Sequence, residues 1–122
     1  MLKFKAVLLA CMLLSVATSC VQKTVEKTVL VQVLVHGKTG IEKLGIRGEG
    51  NPLSWYEDRL LQPVVADSLY ETSFISKTGF LYTEYKFTLN GDFEWEDGPA
   101  RRIYYNQPGD TIFIKAEFGR HE

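Results

Sequence analysis

The sequence predicts an all-β domain, a single antiparallel β-sandwich of about seven strands. Three observations lead there. Short runs rich in β-branched and aromatic residues recur along the chain, separated by Gly- and Pro-containing breaks. No window carries a convincing amphipathic helix; "EDRLLQPVVADSL" comes nearest, and Pro63 interrupts it after one turn. Once an apolar leader of 19 residues is set aside, 103 of the 122 residues remain, about one small domain.

The elements follow in order. Residues 1–19 read as an export signal, with Lys3 and Lys5 ahead of the apolar run "AVLLACMLLSV". That run is shorter than the ~20 residues of a transmembrane helix. It ends in "ATSC", small residues leading into Cys20, and so resembles the signals of bacterial lipoproteins. The resemblance implies cleavage before Cys20 and a lipid on its thiol, which would hold the protein in the cell envelope, at the outer membrane, with the bilayer as a partner. The other reading is an ordinary secretory signal with a cysteine nearby. Residues 20–27 then form a tether, and residues 28–122 the folded domain.

Within the domain, "TVLVQVLV" (28–35) is almost wholly apolar, as expected of a strand buried on both faces or nearly so. "EKLGIRG" (42–48) follows a Gly-Lys-Thr-Gly turn. "SLYETSFIS" (68–76) alternates, with Tyr70, Thr72 and Phe74 on one side. "FLYTEYKFTL" (80–89) alternates too, placing Leu81, Thr83, Tyr85, Phe87 and Leu89 together and Lys86 on the outward side. "RRIYYN" (101–106) and "TIFIKAEF" (111–118) close the series. The expected arrangement is immunoglobulin-like.

Charge and cysteine content restrict the function. Without the leader, and so without Lys3 and Lys5, 12 basic residues face 15 acidic ones, a net charge of −3. Nucleic acid, which needs a basic face, is not an expected partner. Cys11 lies in the leader, so the mature chain keeps only Cys20 and has no internal disulfide. His36 and His121 lack metal-ligand spacing, and no cofactor is expected. Glu94, Glu96 and Asp97 could in principle act as acid–base pairs, but three acids on a hairpin usually form a solvated face. A glycosidase holds two carboxyls about 5–10 Å apart across a cleft, which a lone small sandwich rarely supplies. No nucleophile elbow is present, and "GIRGEG" lacks the spacing of a nucleotide loop. The chain is not expected to be an enzyme.

"TEYKFTLNGDFEWEDGPARR" (83–102) gathers an aromatic cluster and eight charged residues around Asn90-Gly91, a strong hairpin signal. A two-residue loop would set Lys86 opposite Trp95 and Phe87 opposite Glu94. A three-residue loop would pair Leu89 with Phe93, Phe87 with Trp95 and Lys86 with Glu96. The second keeps apolar with apolar and cation with carboxylate, so cross-strand pairing favours it, with Trp95 buried.

The order "EYKF", an Asn-Gly turn, then "EWEDGPARRI" is similar to the closing half of the starch-binding modules of carbohydrate-binding family 20. "GNPLSWYEDRLLQPV" resembles that family's tryptophan-bearing segment, and "SLYETSFISKTGFLYTEYKF" its next hairpin. The likeness spans roughly residues 45–105. It implies a non-catalytic β-sandwich whose partner is an α-glucan polysaccharide or oligosaccharide such as starch or glycogen. Carried over, the sugar site would use Trp55 and Trp95 as stacking surfaces, with Lys86 and Glu96 as polar partners. The related glycogen-binding modules of family 48 would make Phe93 the stacking aromatic. The family's asparagine falls on Ala100, which offers no side-chain hydrogen bond. From the residues alone, Trp55 and Trp95 could equally pack in the core and Lys86 could be a solvated strand lysine. A structural or assembly lipoprotein without a sugar site is the alternative function.

Overall fold

The structure, a computed structural model, describes residues 23–121. The leader and Cys20 lie outside the described residues. Eight strands form and no helix among the described residues. They are β1 (Val25–Leu34), β2 (Leu44–Gly48), β3 (Arg59–Val65), β4 (Leu69–Thr78), β5 (Tyr82–Leu89), β6 (Asp92–Phe93), β7 (Arg101–Tyr104) and β8 (Thr111–Glu117). The fold is therefore all-β. The strands make one sheet in the order β6-β5-β2-β3-β4-β1-β8, with β7 also paired to β5. The sheet is mixed: β1 runs antiparallel to β4 but parallel to β8, which corrects the expectation of antiparallel pairing throughout.

The sheet curls until its two halves face each other. The Tyr105 hydroxyl hydrogen-bonds Ser76 of β4 at 2.9 Å and Thr83 of β5 at 3.0 Å, spanning the interior. At the rim, Arg101 of β7 donates to the carbonyl of Glu117 in β8, so the ends of the sheet approach each other. Between them lies the core. Val29, Val31 and Val33 point into it from β1, Val35 from just beyond its end, Leu44 and Ile46 from β2, Tyr85 and Phe87 from β5, and Ile112 and Ala116 from β8. Burying each aliphatic or aromatic side chain of this set contributes about 1.5–3 kcal/mol.

Three features of two strands differ from the sequence expectation. β1 is not buried on both faces: Val29, Val31 and Val33 go in, while Gln32 and Leu34 are exposed. It also starts earlier than residue 28. Val25 to Lys27, assigned to the tether, pair with Ser76 to Thr78, and the Lys27 ammonium caps the carbonyls of Gln107 and Gly109. The third is the segment broken by Pro63, which is a full strand. β3 pairs with β2 through Arg59–Leu61 and with β4 through Gln62–Val65, with a bulge between Pro63 and Val65. On the β2 side Pro63 has no ladder partner, so its missing N–H costs no hydrogen bond there. A strand that changes neighbours through a bulge is how a sheet turns a corner.

Candidate functional site

The hairpin at Asn90-Gly91 closes with a two-residue loop: Leu89 pairs with Asp92 and Thr88 with Phe93. Asn90 and Gly91 take φ values of 50° and 88°, the left-handed pair of a type I′ turn. The longer loop favoured by apolar pairing does not form, and Trp95 is half-buried rather than buried. The reason is Glu94. Its N–H bonds the Phe87 carbonyl at 3.0 Å, continuing the short register, and its carboxylate turns inward with no exposed surface. There it accepts from Arg101 Nε at 3.0 Å and Nη2 at 2.9 Å, from the Phe87 N–H at 2.8 Å and from the Gly119 N–H at 3.1 Å. Glu94 thus belongs to no solvated acidic face. A buried pair that is fully hydrogen-bonded outweighs the apolar matching of the alternative register.

β6 ends at Phe93, so the two aromatics that would share a face on an unbroken strand part company. The Trp95 indole N–H donates to the Pro99 carbonyl at 3.0 Å. Its ring lies 3.9 Å from that of His121 and 5.1 Å from the Arg101 guanidinium. Ala100 lines the same small hollow. Glu96 is exposed.

Phe93 joins a different group on the outer face of β2 and β5. Trp55 lies 6.4 Å from it, the two ring planes inclined at 58°. Lys86 Nζ stands 5.7 Å and the Arg47 guanidinium 5.4 Å from the Phe93 centroid. Both distances are within the range of cation–π attraction. Lys86 is half-buried on the outward side of β5, and it reaches the Trp95 carbonyl at 3.3 Å. The two-residue register brings that residue opposite it. Of the five carried-over residues, then, the structure gathers Trp55, Lys86 and Phe93. It turns the Trp95 ring elsewhere and leaves Glu96 in solvent.

The loop bearing Trp55 is held down by Asp58. One carboxylate oxygen accepts from the Thr88 hydroxyl and from Arg47 Nε, both at 2.7 Å, and the other lies 3.8 Å from Lys43. Asp58 is 7% exposed, and Thr88, although on the outward side of β5, is fully covered. Gly45 makes the approach possible: a Cβ there would sit 2.7 Å from Thr88 Oγ1 and 2.8 Å from Asp58. Tyr56 stands almost fully exposed beside the tryptophan. Along β5 the outer face continues through Glu84, opposite Arg102, to Tyr82. The Arg102 guanidinium lies 4.3 Å over the Tyr82 ring, and its pKa is raised by hydrogen bonding to Tyr104.

Sequence reasoning missed Arg47, Asp58 and Lys43. In the sequence Arg47 falls within the strand run "EKLGIRG" and the overlapping "GIRGEG", neither of which marks a site. The position of Arg47 beside Lys86 depends on the pairing of β2 with β5, which no short motif records. No group of three or more His, Cys, Asp or Glu residues is placed to hold a metal ion among the described residues. No family model matches the chain, and no curated protein matches it.

Proposed function

We propose that the chain is a lipid-anchored, non-catalytic carbohydrate-binding module of the cell envelope, with α-glucan as its ligand. One observation carries this reading: Trp55 and Phe93 form an inclined aromatic pair on the outer face, bordered by Lys86 and Arg47. A pyranose offers a patch of C–H groups on one face and hydroxyls around its rim. Aromatic rings cover the patch, while cations at the edge orient the rim through charge-assisted hydrogen bonds. Two planes inclined at 58° suit the curve of an α-1,4-glucan better than a flat ribbon such as cellulose. Each ring binds weakly and a polymer gains by avidity. The immunoglobulin-like sandwich implied by the family resemblance is compatible with the curled sheet, with β3 as the strand that passes from one layer to the other.

The alternative, a structural or assembly lipoprotein, is favoured by two observations. Trp95 is engaged within the molecule, and Phe113 and Ile75 stand exposed on the outer face of β8 and β4. Pull-down on insoluble starch separates the two. Retention that is lost in Trp55→Ala and Phe93→Ala supports the module; no retention of the wild type, with no heat on titrating maltoheptaose, supports the structural role.

A further inference from the structure

Arg47 and Lys86 stand directly opposite each other in the antiparallel register of β2 and β5, both on the outer face. Like charges at facing positions destabilise a sheet unless an anion comes between them. Asp58 does this only in part. It bonds Arg47 through Nε and also draws Lys43, so one carboxylate serves two cations and neither is Lys86. Among the described residues Lys86 makes no ion pair; its hydrogen bond goes to the Trp95 carbonyl, at a long 3.3 Å. The terminal nitrogens of Arg47 make no hydrogen bond among the described residues either. Glu84, the next outward residue of β5, stands opposite Arg102 of β7. Lys43, Arg47 and Lys86 against Asp58 leave a cationic cluster on a chain that is acidic as a whole.

From this we infer that the sugar bound at Trp55 and Phe93 carries an anionic group, a carboxylate or an ester sulfate or phosphate, held between Arg47 and Lys86. The inference rests on the carbohydrate reading and adds the ligand's charge. A guanidinium with two free terminal nitrogens and an ammonium with free donors, both beside one ring, match the oxygens of such a group. A neutral hydroxyl would use one donor and leave the repulsion in place.

The test compares maltoheptaose with maltoheptaose oxidised at C6 to its glucuronate form, titrated into the full mature domain by calorimetry. The backbone is the same and only the charge differs. The oxidised sugar should bind about tenfold tighter at roughly 20 mM salt, and the advantage should shrink at roughly 500 mM, where screening is strong. Lys86→Met breaks no ion pair, so it is the deciding variant, and it should bring the two affinities close together. Arg47→Met should do the same, with thermal melting to check the fold, since it deprives Asp58 of a partner. Equal affinities in the wild type, or an advantage untouched by salt and by Lys86→Met, overturn this inference and leave the carbohydrate reading standing. No heat with either sugar overturns both. Equally tight binding of polyglutamate overturns it in favour of an unselective anion surface.

Discussion

The pairing of Glu94 with Arg101 decides both the hairpin register and the position of Phe93, so breaking it is the most informative perturbation. Glu94 has no exposed side-chain surface and Arg101 only 7%. The carboxylate receives four hydrogen bonds, two from the guanidinium and two from the backbone amides of Phe87 and Gly119. Arg101 in turn donates to the carbonyls of Glu117 and Arg120, tying β7 to the end of β8. Glu94→Ala leaves a buried guanidinium without its counter-ion, together with two orphaned amides. Removing one partner of such a pair costs about 3–5 kcal/mol. For a domain of this size each kcal/mol shifts the melting temperature by about 4–8 °C, so a drop of at least about 12 °C is expected. Urea denaturation followed by tryptophan fluorescence gives the free energy directly. Glu94→Leu combined with Arg101→Met should recover part of the loss, because an apolar pair removes the stranded charge. A loss below about 1 kcal/mol in Glu94→Ala would refute the reasoning, since it would mean that water reaches the pair.

Five further outcomes are expected. Trp55→Ala and Phe93→Ala should abolish maltoheptaose binding in calorimetry. Trp95→Ala should leave binding largely intact but lower stability by about 1–3 kcal/mol, less than for a fully buried aromatic. Gly45→Ala drives a Cβ against Asp58 and Thr88, so it should cost about 1–3 kcal/mol in a melting experiment and weaken binding by lifting the Trp55 loop. Cys20→Ser should move the protein from the membrane to the soluble fraction on cell fractionation. The Glu117 carboxyl is held below its usual range by the hydrogen bond from Arg120. Its contribution to stability is present above its unfolded pKa and fades as pH falls through the lowered folded value. Arg120→Ala should therefore flatten the acid side of the stability–pH curve.

The parts of the fold legible in the sequence are those set by side-chain period. Thr83, Tyr85 and Phe87 alternate with Glu84 and Lys86 in β5, and Tyr70 and Phe74 lie on one side of β4; both strands form with those residues inward. The hairpin at Asn90-Gly91 was legible for the same kind of reason, because its backbone angles suit those two residues. Its register was not. Local matching placed Phe87 against Trp95, whereas Glu94 finds a partner seven residues later in Arg101, and only the folded chain shows that the pair is dry. Pro63 misled in a similar way. It reads as a break, yet β3 has exchanged one neighbour for another by that point. At the site, Lys86 and Phe93 could be named from the "EYKF" strand and its turn, but Arg47 becomes their neighbour only through a strand pairing about 40 residues long-range.

The acidic residues of this domain therefore have a role that composition concealed. Glu94 looks like a candidate for catalysis or for a solvated surface, and Asp58 belongs to no motif, but each is a buried acceptor that pins one aromatic of the pair. Asp58 fixes the loop of Trp55 against Thr88, and Glu94 fixes the hairpin of Phe93 against Arg101. Neither aromatic sits on a long regular element: Trp55 is in a loop and Phe93 ends a two-residue strand. Such positions are ordinarily the mobile ones. With both held by dry polar bonds, the angle between the two rings is set before any ligand arrives. Little ordering entropy then remains to be lost on binding, which matters most for a shallow surface where each sugar contributes weakly. Loosening either carboxylate should therefore weaken binding without any change in the residues proposed to touch the sugar.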